Sequence, residues 1–197
     1  MAEIKSSWEI ALERTKEVEG NPEAVEADKY QKQGKMLVSK FLGDSSFDLK
    51  GNLKSFSGKT LNWVKDGMLQ VLLANLVLPQ EQLALTKIKR VGEAFYVFIR
   101  NTKMLTKMFS QLESFFEEYL AEKERYREAV EKHYAPRLKQ KEEELSKKMG
   151  QPIHIDINAD PEFAATLRKT MASLEEKYAT VLGQVKDDLI AIRKDEK

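Results

Sequence analysis

The residues with the greatest chemical promise lie between two long helical stretches: His154, Asp156, Asn158 and Asp160. The spacing Asp156-x-Asn158-x-Asp160 has the form in which a calcium loop opens, with oxygen ligands on alternate residues. Such a loop then requires glycine at its sixth position and glutamate at its twelfth, where Pro161 and Leu167 stand. The segment therefore reads as a polar turn ending in a helix N-cap. His133 is the other of the chain's 2 histidines and there is no cysteine, so no metal-ligand cluster is expected around His154.

Ser57-Gly58-Lys59-Thr60 has the ending of a phosphate-binding loop, but the upstream glycine is replaced by Leu53 and no strand precedes it. Carboxylate pairs such as Glu117-Glu118 belong to exposed helix surface, where nothing shifts a pKa toward general acid or base work. No Gly-x-Ser-x-Gly nucleophile elbow occurs. The expected catalytic, cofactor and metal residues are therefore none.

Two kinds of residue are left. Lys87-Ile88-Lys89-Arg90 and Arg137, Lys139, Lys141 are local basic clusters able to meet phosphate, although Glu93 and Glu142 to Glu144 lie alongside. Phe109, Phe115, Phe116 and Tyr119 form an aromatic group whose reading is divided between helical core and exposed interface, with core favoured. The candidate interaction residues are Phe115, Tyr119, Tyr126, Tyr134, Arg137, Lys139 and Lys141.

These residues are carried by helices. Asn101 or Thr102 is a candidate N-cap, and Leu105, Phe109, Leu112, Phe116 and Tyr119 follow at steps of 4, 3, 4 and 3, a heptad-like, coiled-coil seam. From Ala121 to Met149, 16 of 29 residues are charged, with Glu128/Lys132, Glu143/Lys147 and Glu144/Lys148 in the favourable i,i+4 order. Pro136 falls inside and should kink or divide the rod. Gly150 ends it.

Asp160-Pro161-Glu162 then supplies a capping carboxylate, a proline for the first turn and an acid at the positive helix end. Phe163, Leu167, Met171, Leu174, Tyr178, Leu182, Val185, Leu189 and Ile192 draw an apolar stripe along the helix that follows. Two such rods with a short connection must fold antiparallel. The connector, Gln151 to Asn158, alternates like a strand. Either it lies extended against the hairpin tip or it pairs with another extended segment such as Phe95 to Ile99.

Upstream, Ser6-Ser7-Trp8-Glu9 has the form of a capping box opening a helix through Val18, and Gly20-Asn21-Pro22 ends that helix and begins the next. The second helix runs to Gly43, and its interior Gly34 costs about 1 kcal/mol relative to alanine. Asp48 caps a short helix, and Ser57 opens an apolar one closed by Pro79. Between Leu83 and Ile99, a helical stripe of Leu85, Ile88, Val91, Phe95 and Phe98 competes with a β-hairpin turning at Gly92-Glu93. The run Phe95-Tyr96-Val97-Phe98-Ile99 tips the expectation narrowly to the hairpin.

Composition sets the class. The chain has 197 residues, 33 % of them charged, with 9 Gly and 5 Pro, as suits long solvated helices. Lys+Arg 33 against Asp+Glu 32 leaves +1, so no global field attracts nucleic acid or an acidic membrane. The most apolar run, Met68 to Leu78, is far shorter than the roughly 20 residues of a membrane span. The start, Met-Ala-Glu-Ile-Lys, has no apolar region of a secretory signal. With cysteine absent, a cytoplasmic location is expected.

Ser110-Gln111-Leu112-Glu113-Ser114-Phe115-Phe116-Glu117-Glu118-Tyr119-Leu120 and Gly150-Gln151-Pro152-Ile153-His154-Ile155-Asp156 resemble an uncharacterised, mostly helical bacterial family of unknown function, over most of the chain. The resemblance implies no activity and transfers no site residue. The expectation is a mainly α protein, a helical body over 1–120 with an antiparallel hairpin over 121–197, and a small β element around 85–99 and 152–157. Its expected role is binding a protein partner or a second copy, with no cofactor and no membrane. A nucleic-acid factor using 87–90 and 137–141 is the alternative, and an enzyme ranks third.

Overall fold

The computed structural model describes residues 22–196. The expected helix from Ser6 to Val18 lies outside them. Six α-helices and one short 3-10 turn make up the described residues, with no strand among them. The helices are α1 (Pro22–Gly43), α2 (Leu49–Leu53), α3 (Gly58–Asn75), α4 (Ala84–Phe98), α5 (Thr102–Met149) and α6 (Pro161–Asp195). The mainly α class follows directly. None of these helices is long and apolar enough to cross a membrane.

The chain divides into two compact units. One takes in the described part of Met1–Leu76, Arg90–Arg100 and the described part of Arg193–Lys197; the other takes in Val77–Lys89 and Asn101–Ile192.

The first unit is built on α1 and α3. Contacts between Glu23 and Lys59 and between Tyr30 and Trp63 rise together along both helices, so the two run in the same direction. They approach closely because each offers a glycine at the crossing. A Cβ on Gly34 would overlap the Val64 carbonyl oxygen, and a Cβ on Gly67 would overlap that of Gln31. Val38, Val64, Met68 and Leu72 are each fully buried beside this crossing. At the end of α1, Arg90 places its guanidinium 3.6 Å over the Phe41 ring. The same group donates to the carbonyls of Phe41, Asp44 and Ser45, filling acceptors that a helix end leaves open. Arg193, 2 % exposed, reaches Asn62 and Asp66 on α3.

The expected β-hairpin over 83–99 is corrected to helix α4. Val91, Ala94, Phe95, Phe98 and Ile99 are the buried apolar residues on either side of Gly92. Those positions repeat at helical intervals of three and four, whereas a strand would bury alternate residues and leave Phe95 and Phe98 on opposite faces. Burial of a full helical face thus outweighs the β-preference of the individual residues. The strand-like reading of 152–157 is corrected too: the connector carries no strand pairing and lies along the last turns of α5. The Ile153 amide donates to Ser146 Oγ and the Ile155 amide to Glu142 Oε1, both at 2.8 Å.

In the second unit, α5 and α6 form the antiparallel hairpin. Phe115 and Tyr119 meet Tyr178, Glu122 meets Lys177, Tyr134 meets Phe163 and Lys141 meets Asp160. As the residue number climbs in α5 it falls in α6. Asn101 caps α5, its side chain accepting from the Met104 amide, and Gly150 ends it in the left-handed conformation at φ 69°. Of the two outcomes expected at Pro136, a kink or a division of the rod, division does not occur: α5 runs through it for 48 residues. Proline removes one backbone bond, but Tyr134 and Arg137 on either side are tied across to α6, so the neighbouring turns are held from outside the helix.

Candidate interaction site

Three clusters lie along the hairpin, and between them they hold five of the seven candidate residues. Midway, Tyr119, Leu174 and Tyr178 form a buried core against which Phe115, Leu78 and Leu120 pack. The Phe115 and Tyr178 ring centroids are 4.9 Å apart and those of Tyr119 and Tyr178 are 5.0 Å apart. Such tilted pairs add to the area they bury. Burial, and then a hydrogen bond to the Glu122 carboxylate, push the Tyr178 hydroxyl up to about 12. Burial also raises Tyr119, with the charge of Glu175 adding to it.

A prediction follows from the sign of the Tyr178 shift. The folded chain holds this proton more tightly than an unfolded tyrosine near 10. The stabilisation is therefore complete below about pH 10 and is lost as pH rises toward about 12. A tyrosinate absorbance titration should lose its latest-titrating group in Tyr178→Phe, while the late titration of Tyr119 remains. A variant titration identical to the wild type would refute the assignment.

At the tip, Asp160 is the centre of a polar knot. Its Oδ1 accepts from the amides of Glu162 (2.9 Å) and Phe163 (3.1 Å), capping α6, and from Tyr134 Oη at 2.6 Å. Lys141 Nζ donates to Asp160 Oδ2 (2.8 Å), Glu162 Oε2 (2.8 Å) and Tyr134 Oη (2.9 Å). Arg137 Nη2 pairs with Glu162 Oε1 at 2.6 Å. Hydrogen bonds from Lys141 and then Tyr134 hold the Asp160 carboxyl well below the usual carboxylate range. Its hydrogen bond to Asp160, with those to Glu162 and Tyr134, raises Lys141 well above the usual lysine range. Each of the five residues of this knot bonds to another member, which makes it a clasp. Asp156, meanwhile, accepts from the Asn158 amide in a local turn. The 156–160 run is thus the capped polar turn that its residues suggest.

The third cluster is a groove of about 480 Å³ running between α5 and α6. Its walls are Met104, Met108, Leu112 and Phe115 from α5 with Val181 and Val185 from α6, and its rims carry Lys107, Gln111 and Asp188. Met104 is 45 % exposed and Val181 40 %. Spacings of three and four residues on both helices give it the shape of a trough along the hairpin.

Of the seven candidate residues, Tyr134, Arg137 and Lys141 come together in the clasp, and Phe115 joins Tyr119 at Tyr178. Tyr119 and Tyr134 are buried, so neither presents a face to a partner; Tyr126 and Lys139 stay exposed outside both clusters. Lys139 lies on an open cleft with Glu142, Glu143 and Lys147. Sequence reasoning did not single out the groove. Its signal was present in Met104, Met108, Gln111 and Phe115, one step round the helix from the dominant seam.

The basic clusters are largely engaged within the chain. Lys89 pairs with Glu113 at 2.6 Å, Arg90 with Glu93 at 2.7 Å, and Arg137 and Lys141 with the clasp carboxylates. Among the described residues, no group of three or more His, Asp or Glu side chains is arranged to hold a metal ion.

These features define a mainly α protein whose second unit is an antiparallel hairpin with an apolar trough on one side. The chain belongs to the family of unknown function DUF6657, whose model matches residues 50–191. No curated protein and no solved structure matches it.

Proposed function

We propose that this chain is a non-enzymatic interaction protein that acts through its helical hairpin, with the trough between α5 and α6 as the contact surface. The observation that carries this reading is the position of the apolar residues. The main seam is occupied within the chain, since Phe163, Leu174, Tyr178, Leu182, Leu189 and Ile192 are all buried. Met104 and Val181 are left exposed on the walls of a shallow apolar groove between the two helices. Methionine suits such a surface because its flexible thioether adapts to the shape it meets. The nucleic-acid alternative draws no support from Lys89, Arg90, Arg137 and Lys141, which are paired internally.

The test is Val181→Glu, which puts a charge on the wall at an exposed site and should leave helix content unchanged by circular dichroism. We expect the wild-type chain, recovered from its native extract, to retain a protein or a second copy that the variant loses. Identical retention and identical mass for both would overturn the reading.

A further inference from the structure

The geometry points to a second copy of this chain as the occupant of the trough, packed so that two hairpins form a four-helix layer about a two-fold axis parallel to their helices. This inference rests on the proposed interaction role and names its partner. It comes from the charges on the rims.

Lys107 lies on the α5 rim and Asp188 on the α6 rim. The antiparallel pairing that sets Phe115 beside Tyr178 brings these two charges to the same end of the trough. Among the described residues neither has an ion-pair partner, while nearby Lys89 and Lys177 are paired with Glu113 and Glu122. A symmetric interface presents the same patch twice, so residue i meets j and j meets i. If two hairpins stack face to face about an axis along the helices, α5 of one copy lies over α6 of the other. Lys107 of each copy then faces Asp188 of its mate. A two-fold axis running across the helices would instead put α5 over α5, so that Lys107 and Asp188 no longer face each other. Both arrangements make every adjacent helix pair antiparallel, the usual geometry of up-and-down four-helix bundles, so the charges are what choose between them. Met104, Met108, Phe115, Val181 and Val185 would then become its centre.

The trough spans about 16 Å along α5 at 1.5 Å per residue, and two helices are about 20 Å across. A face of that size, roughly 320 Å² per copy, is smaller than that of a standard stable interface, so the self-association is expected to be weak and transient, with a dissociation constant from about 100 μM into the millimolar range. Sedimentation of the full chain across that range should show a mass rising from 22.7 kDa to twice that value.

Three charge variants decide the arrangement. Lys107→Glu alone opposes two acids at each contact, and Asp188→Lys alone opposes two lysines. Each should weaken self-association by at least about tenfold. Mixing these two variants restores an opposite pair at both contacts and should recover a heterodimer near wild-type strength. So should the double exchange Lys107→Glu/Asp188→Lys in one chain. Both sites are exposed rims, and circular dichroism checks that helix content is kept.

A monomer throughout the concentration range overturns the second-copy assignment, and so does a dimer indifferent to both single variants. In either case the broader interaction role stands or falls separately, on what the wild-type chain retains and Val181→Glu does not.

Discussion

Replacing Gly34 or Gly67 by alanine should destabilise the first unit by about 2–3 kcal/mol, against the general rule that alanine improves a helix. In both positions the added methyl group would meet a backbone carbonyl of the opposing helix, Val64 for Gly34 and Gln31 for Gly67. A backbone group cannot swing aside as a side-chain end can. The helices must separate, and Val38, Val64 and Met68, all fully buried, lose contact together. The helix-propensity gain of about 0.5–1 kcal/mol offsets only part of this. Thermal unfolding followed by circular dichroism should register a fall of roughly 5–10 °C. Gly183→Ala, in α6 with nothing within 4 Å of its would-be Cβ, is the matched control. It should raise stability by about 0.5–1 kcal/mol. Equal effects at the three sites would show that the crossing is not the cause.

Removing the clasp carboxylate should have the next largest effect. Asp160 is 6 % exposed, caps α6 and binds both Tyr134 and Lys141. Asp160→Ala therefore loses a cap and leaves Lys141 and Tyr134 with only each other and Glu162. The melting temperature should fall by about 5 °C. Amide exchange should rise from Gly150 to Phe163 and stay unchanged around the Tyr119 cluster.

The pH dependence has a definite sign. The Asp160 carboxyl is held below its ordinary value, chiefly by Lys141. Its contribution is thus present above the unfolded value of about 3.9 and is lost as pH falls through the lower folded one. Lys141 is raised by the same contact, so its share persists through neutral pH and fades only above the ordinary lysine range. Acid unfolding of Asp160→Asn should accordingly be less steep below about pH 4 than that of the wild type. Parallel acid curves would remove Asp160 from this role.

Much of the hairpin was legible beforehand because its signals are local. Asn101 and Asp160 as caps, Gly150 as a left-handed stop and the stripe from Phe163 to Ile192 each depend on neighbours in sequence, and all stand as read. Residues 84–98 went the other way. Five β-prone residues in a row favoured a strand locally, but a helix buries Phe95, Phe98 and Ile99 on one face. Pro136 leaves α5 undivided despite its local cost, with Tyr134 and Arg137 on either side held by α6.

The candidate site divides on the same line. Tyr134, Arg137 and Lys141 could be picked out as polar residues on one charged helix, but their partners Asp160 and Glu162 lie beyond the connector. Gly34 read in sequence as a weak point in a helix, whereas its missing side chain is what lets α3 approach α1. Arg90 read as part of a phosphate-seeking cluster, whereas its guanidinium closes the end of α1.

The sequence by itself determined the helical class, the caps and stops, and the antiparallel return of α6 along α5. Periodicity and capping are properties of a few adjacent residues, and a short connector leaves no other direction for the second rod. Only the tertiary structure decided which glycines are contact surfaces, which basic residues are already engaged and where apolar surface is left over. Each of those depends on what a distant segment places opposite a residue. The trough is the clearest case: Met104 and Val181 are ordinary helix residues until α5 and α6 align and leave them uncovered.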